Sequence, residues 1–469
     1  MTVYSWIKKN LHLLYLLYAV PLFYLTIVIT PPFQNPDEPN HLSRAEQISR
    51  GEFISKFIPA ENDIRPKGPF EPHQGGFSVD CGIGQANHFF SNLQFHPNIK
   101  VDKNAVDSAN LIKWNTGIEY KNFGNTAIYP PFVYLMPTVS ILLGKWMSWS
   151  VIKTLYLSRF LNATLVLVLG VITLKLARFT KLLLFTLLLL PMHIGTFCAV
   201  TQDSILIICS FFLVAFIDYC ETEKVIYQWK HIAMMIGLAA IIGICKPPYI
   251  LFSFIVLFIT APLSRRLIGT AIPFLLLGTW LIVNSSNFKI QFAPAEMHVN
   301  SRMQVAYVLH HPFKFIGLFF NWNVDAITGF FRMCVGVLGW LDTEFSKSYY
   351  FITYLMLVSM LAVFYNKGKK IKVNLRLAAL LIFIVTSIAI LAAQYATWVP
   401  YQSASFGGLQ GRYFLPIFPF LMLAIAFNKN GIENNSSQQK HFFVLLLTIY
   451  PMYTLINTVD ILFHRYYIG

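Results

Sequence analysis

The residues best suited to chemistry stand where the first apolar run ends, in TPPFQNPDEPNHLSRAEQISRG, residues 30–51. Asp37 and Glu38 are adjacent there, with His41 and Arg44 just beyond. A carboxylate held at the border of a low-dielectric layer suits general-base work, because partial burial raises its basicity. Pro36 and Pro39 flank the pair, which predicts a stiff turn with Glu38 outside the helical region. The same letters also read as an acidic lead-in that caps a short helix ending at Gly51. Two acids with His41 could instead hold a divalent cation, although no His-x-His pair or second cluster accompanies them.

Four further places carry polar groups in apolar surroundings. In CAVTQDSILIICS, Asp203 stands between two apolar runs, where an ionisable side chain is either functional or a helix cap. In GICKPPYI, Lys246 can hold a phosphate as a point charge or reach out to lipid headgroups. The segment FRMCVGVLGWLDTEFSK sets Trp340 beside Asp342, a pairing that suits sugar binding, although interfacial tryptophans are common in membrane proteins. In SFGGLQGRYFLPIFP, three glycines open the backbone before Arg412, whose planar fork matches phosphate at the start of a span. Gln410 and Tyr413 stand ready to add neutral hydrogen bonds there. A lipid-anchoring arginine is the plainer reading, but it has no need of three glycines.

The elements that must position these groups are membrane helices. The chain of 469 residues is 56% hydrophobic and only 12% charged, against about 25% in ordinary globular chains. Continuous apolar runs of roughly 20 residues predict an all-α polytopic membrane protein and not a barrel. About 11 spans are expected, near 11–30, 154–176, 182–200, 204–220, 231–246, 248–263, 267–284, 349–365, 377–395, 413–427 and 441–460. The first is read as a retained anchor, residues 1–30 with the N-terminus cytoplasmic, because it is long for a signal peptide and no small-x-small site follows. Basic loops such as NKGKKIKVNLR fall on the cytoplasmic side under the positive-inside rule.

Both long polar segments then lie outside. Residues 31–153 form a large external domain with interfacial helices, followed by spans over 154–284, a second external segment over 285–348 and C-terminal spans over 349–469. Between 31 and 130 stand Asp37, Glu38, Glu46, Glu52, Glu61, Asp63, Glu71, Asp80, Asp102, Asp107 and Glu119, over half of the chain's 21 acids. Such a segment is a folded unit and not a linker. Its middle, from Pro66 to Asn98, reads as irregular, and YPPFVYLMPTVSILLGKWMSW reads as a helix lying at the interface. Asp37, Glu38, Asp203, Lys246, Asp342 and Arg412 all fall on the external side. The net charge of +15 fits contact with anionic lipid; no basic run interleaved with aromatics points to nucleic acid. Among six cysteines, Cys81 and Cys334 alone share the external side, which leaves a disulfide between them open.

The segments PPFQNPDEPNH, YPPFVYLMP, TQDS, KPPY, GVLGWLDT and QGRYFLP, in this order, resemble the bacterial membrane family known as domain of unknown function 2142. That family is similar to the GT-C glycosyltransferases, and the resemblance extends over nearly the whole chain. It implies a GT-C-like bundle in the bacterial inner membrane, with a periplasmic active site. By the resemblance Asp37 is the catalytic acid with Glu38 beside it, and Asp203 is the second acidic position. Arg412 would then sit near a lipid phosphate. The implied donor is a sugar on a polyprenyl phosphate, and the implied acceptor is a lipid-linked saccharide or envelope glycan, as in O-antigen modification. Transfer would invert the anomeric centre, with Asp37 as base and Arg412 and Lys246 facing the departing phosphate. No cofactor is expected beyond the divalent cation left open above. A flippase for a lipid-linked saccharide and a non-catalytic envelope assembly subunit are the competing functions. The first should show internal repeats, and none is evident; the second should tolerate loss of both Asp37 and Arg412.

Overall fold

The computed structural model describes residues 6–7, 9–58, 74–289, 293, 299–364, 371–425 and 437–468. Among them, six helices are long and apolar enough to cross a bilayer: Leu11–Ile29, Val151–Leu176, Asp203–Thr222, Leu263–Val283, Val373–Trp398 and Val444–Tyr466. At 1.5 Å per residue the shortest rises about 28 Å, close to the thickness of the hydrocarbon layer. Val151–Leu176 begins three residues before its expected start because the Ser150 side chain accepts from Lys153 N at 3.2 Å and caps it.

Three expected spans take another form, and proline is the common cause. The run over 182–200 is two short helices, Lys181–Leu188 and Pro191–Phe197, since Pro191 has no N–H to continue the first. The run over 248–263 is a 12-residue 3-10 helix, Pro247–Phe258, opened by two prolines. The run over 413–427 starts as a 3-10 turn, Gly411–Ile417, containing Pro416, and becomes α-helical at Phe418–Ile425. Leu184, Phe185, Phe252 and Phe420 of these segments are buried, so they fill the core between longer helices.

Between the spans Leu11–Ile29 and Val151–Leu176 the chain folds into a small sheet and short helices. Strands β1 (Lys56–Ile58), β2 (Gln74–Asp80) and β3 (Ile118–Asn122) pair antiparallel in the order β1-β2-β3. A Cβ at Gly76 would collide with the Lys121 carbonyl, so this crossing needs glycine. The irregular middle expected from Pro66 is corrected here: residues 66–73 lie outside the described residues, as do Glu61, Asp63 and Glu71. From Gln74 the chain is strand β2 and then the helix Cys81–His88, capped by Asp80 through Gly82 N at 2.9 Å. Phe33, Leu42, Ile83, Phe90, Trp114 and Tyr134 belong to its core. The helix Leu135–Trp146 has 12 residues and rises about 18 Å, too short to cross.

Arg44, expected to bind substrate, instead clamps this unit. It is fully buried and donates to Gln47 Oε1 (2.6 Å), Ser55 Oγ (3.2 Å), Phe53 O (2.7 Å) and Tyr129 O (2.9 Å). Between the helices Leu263–Val283 and Val373–Trp398, helix Val324–Val335 leads into a hairpin of β4 (Val337–Leu338) and β5 (Thr343–Glu344). Cys81 and Cys334 are both free thiols, which removes the disulfide; Cys334 packs instead against Gly411, with Sγ 3.9 Å from its carbonyl oxygen.

Candidate functional site

Asp37 precedes the helix Glu38–Ser49, the N-cap position, yet its side chain makes no capping bond. Its backbone is left-handed, with φ 61° and ψ 8°, which is uncommon and costly for a residue with a Cβ. Its carbonyl accepts from Asn40 N and His41 N, both at 3.0 Å, and so opens the helix. The carboxylate is thereby free to face outward. Oδ2 meets Arg412 Nη2 at 3.1 Å across 375 positions of sequence, and Oδ1 accepts from Asn125 Nδ2 at 3.0 Å.

Glu38 goes the other way. Contrary to expectation it lies inside the helix, because the residue ahead of Pro39 is already the first of the helical turn. Its buried carboxylate takes two hydrogen bonds from Arg159, Nε to Oε1 at 2.9 Å and Nη2 to Oε2 at 2.6 Å, and others from Val200 N and Asn35 Nδ2. Arg159 also donates to Thr30 O (2.7 Å) and Pro31 O (2.9 Å). This pair locks the end of the first span to the middle of Val151–Leu176. The catalytic expectation for Glu38 is therefore corrected to a structural one.

Asp203 opens the helix Asp203–Thr222, but the capping position is Gln202, which leaves the Asp203 carboxylate for Lys246 at 2.6 Å. Lys246 follows the last turn of Trp229–Cys245 and lies over the Tyr413 ring, 4.6 Å from its centre. Neither bland alternative, the cap or the headgroup anchor, describes them. Arg412 stands in the 3-10 turn Gly411–Ile417 and not at the head of an α-helix. The glycines before it have separate reasons: Gly408 has φ +65°, and a Cβ at Gly411 would strike the backbone of Met333 and Cys334.

Asp37, His41, Asp203, Lys246, Trp340, Gln410, Arg412 and Tyr413 all line one cavity of about 700 Å³. On one side stand Asn40 and Asn125, from the segment between the first two spans. On the other are Ile390, Ala393, Gln394 and Thr397, a single stripe of the span Val373–Trp398 at i, i+3, i+4 and i+7. From Ile390 to the helix end is about 12 Å, so the chamber descends beside a membrane helix. Arg412 Nε and Gln410 Oε1 are buried with no hydrogen-bond partner among the described residues. Such atoms are costly to leave unpaired, and both belong to residues lining the cavity.

His41 is neutral. Burial pulls its pKa down to about 4, against the opposing pull of Asp37 and Asp203. Its Nδ1 is 2.7 Å from the Tyr134 hydroxyl. Trp340 donates from Nε1 to Phe33 O at 3.1 Å and meets Phe95 edge-on. Asp342 does not line the chamber: Arg465 Nη2 holds its Oδ2 at 2.8 Å, and the same guanidinium donates to Leu93 O and Ile99 O. Arg465 thus fastens the last helix both to the β4–β5 hairpin and to the chain at 93–99, which corrects the substrate-binding expectation for Asp342. Among the described residues no three His, Cys, Asp or Glu side chains gather as a metal site. Asp37 and Asp203 are each matched with a cation of the protein.

Sequence reasoning missed Arg159 and Asn125. Arg159 carried a signal, a lone arginine inside an apolar run that had to find a buried carboxylate. Asn125, one asparagine in a polar loop, carried none.

Residues 21–421 match a family model described as a predicted membrane protein, DUF2142. No curated protein and no solved structure matches the chain.

Proposed function

The chain belongs to the DUF2142 family of predicted membrane proteins, and from its cavity we propose that it is a GT-C-type glycosyltransferase of the bacterial inner membrane. Its donor is a sugar on a polyprenyl phosphate, and its acceptor is a lipid-linked saccharide or envelope glycan on the periplasmic side. The N-terminus is cytoplasmic in this reading. One observation carries it: a carboxylate from the external domain and a guanidinium from the C-terminal third share a chamber walled by a membrane helix. A lipid-borne phosphate reaches such a chamber from the bilayer, and a polar acceptor reaches it from water.

The chemistry is a single displacement. Asp37 takes the proton of the acceptor hydroxyl as its oxygen bonds to the anomeric carbon. The bond from that carbon to the phosphate oxygen breaks, and its electron pair leaves with the polyprenyl phosphate, so inversion follows. The phosphate gains one negative charge in this step. Arg412 and Lys246 are the cations lining the cavity that stabilise it. Trp340 offers a sugar an apolar face, and Asn40, Gln410 and Tyr413 offer hydrogen bonds.

The reading is tested by supplying purified protein in proteoliposomes with labelled sugars, either on polyprenyl phosphate or on nucleotides, together with an envelope glycan extract. Transfer from the polyprenyl donors alone is expected. Transfer from nucleotide sugars alone, or from neither, would overturn it.

A further inference from the structure

In the state the structure describes, each Asp37 oxygen already accepts one hydrogen bond, so an acceptor hydroxyl meets a carboxylate whose negative charge is shared with Arg412. The two engagements differ in kind. On Oδ1, Asn125 Nδ2 donates at 3.0 Å, and the Asn125 carbonyl oxygen accepts from Asn40 Nδ2 at 2.9 Å. Asn40 stands on the helix that Asp37 opens, and its own carbonyl accepts from Thr126 Oγ1 at 3.1 Å. Asn125 and Thr126 are neighbours in the short helix Gly124–Ala127, where Thr126 is buried. This grip is neutral, and both of its ends are anchored in the external domain. On Oδ2 the partner is Arg412, a cation from the far end of the chain whose Nε is still unpaired.

An anion entering the cavity competes with Asp37 more strongly for the Arg412 cation than for the neutral amide of Asn125. We infer that the lipid phosphate of the donor unlatches Asp37: it draws Arg412 off Oδ2 while Asn125 keeps Oδ1 in place, so the base is released only when a donor is bound. This rests on the glycosyltransferase reading and adds an order of events to it, donor before acceptor activation, with Asn125 as a positioning residue. No proton or bond moves in the unlatching step; one ion pair is exchanged for another.

The test is binding of farnesyl phosphate, a short prenyl phosphate without sugar, to the full chain in detergent micelles. Asp37→Asn removes the competitor for Arg412 and is expected to tighten binding about tenfold, the worth of one charge-assisted hydrogen bond. Asn125→Ala is expected to leave that affinity and the donor KM unchanged while lowering kcat roughly 10- to 100-fold, as misplacement of a reacting group does. Asn125→Gln, which keeps the amide, should recover part of kcat. Binding by wild type with no tightening in Asp37→Asn overturns the latch and leaves the transferase reading standing. Absence of farnesyl phosphate binding in both overturns the phosphate site and the latch with it. An Asn125→Ala variant that raises KM and spares kcat overturns the positioning role.

Discussion

Two neighbouring carboxylates, one peptide bond apart, are put to opposite uses. Asp37 and Arg412 keep 34% and 10% of their side chains exposed to the cavity, whereas Glu38 and Arg159 keep none. The difference begins in the backbone. A left-handed residue at Asp37 followed by a helical one at Glu38 throws the two side chains to different faces. The buried pair is bidentate and supplemented by two further donors, which offsets the cost of removing both charges from water. The cavity pair is a single contact with unpaired atoms nearby, the pattern of a site that expects another partner. The acidic dipeptide thus supplies one buried strut and one carboxylate open to the cavity.

The contrast can be broken first at the strut. Arg159→Met leaves Glu38 buried without its cation, and melting in detergent should register a loss of about 3–5 kcal/mol. A variant as stable as wild type would mean that Glu38 finds water or another partner, and the contrast with Asp37 would collapse. His41 lies on the helix that Asp37 opens and reports on how dry the cavity floor is. Its imidazole protonates near 6.5 when unfolded but near 4 when folded. The unfolded state therefore binds more protons between those values, and stability declines as pH falls from about 6.5 to about 4, by up to about 3 kcal/mol. His41→Gln should flatten that part of the stability curve; an unchanged slope would place the transition in other groups. Asp342 sharpens the comparison from a third side. As a strut to Arg465 it should lose about 2 kcal/mol of stability in Asp342→Asn with no change in donor KM, while a raised KM would return it to the substrate site.

Much of the chamber was legible because its members are polar residues in apolar or turn-rich contexts. Asp37, Asp203, Lys246 and Arg412 stand out by charge, and Gln410 and Tyr413 by their place beside Arg412. What composition does not encode is direction. Nothing in PDEPNH tells which acid turns to water, because that choice depends on the φ of Asp37 and on an arginine 121 positions from Glu38. Asp342 misled for the same reason, its partner Arg465 lying near the other end of the chain. Apolar runs announced helices but not their continuity; Pro191, Pro247 and Pro416 decided which ones could run straight. The sheet between the first two spans was hidden by its glycine-rich strand β2.

The most direct test pairs two single substitutions in one preparation. Asp37→Asn and Glu38→Gln are each measured for melting temperature and for sugar transfer from a polyprenyl-phosphate donor. The account predicts that Asp37→Asn melts within about 1 kcal/mol of wild type, as a partly exposed pair allows, and transfers at least 100-fold more slowly, the share of a general base. Glu38→Gln should be the one that melts early. Full transfer by a folded Asp37→Asn protein would contradict the assignment of that carboxylate as the base.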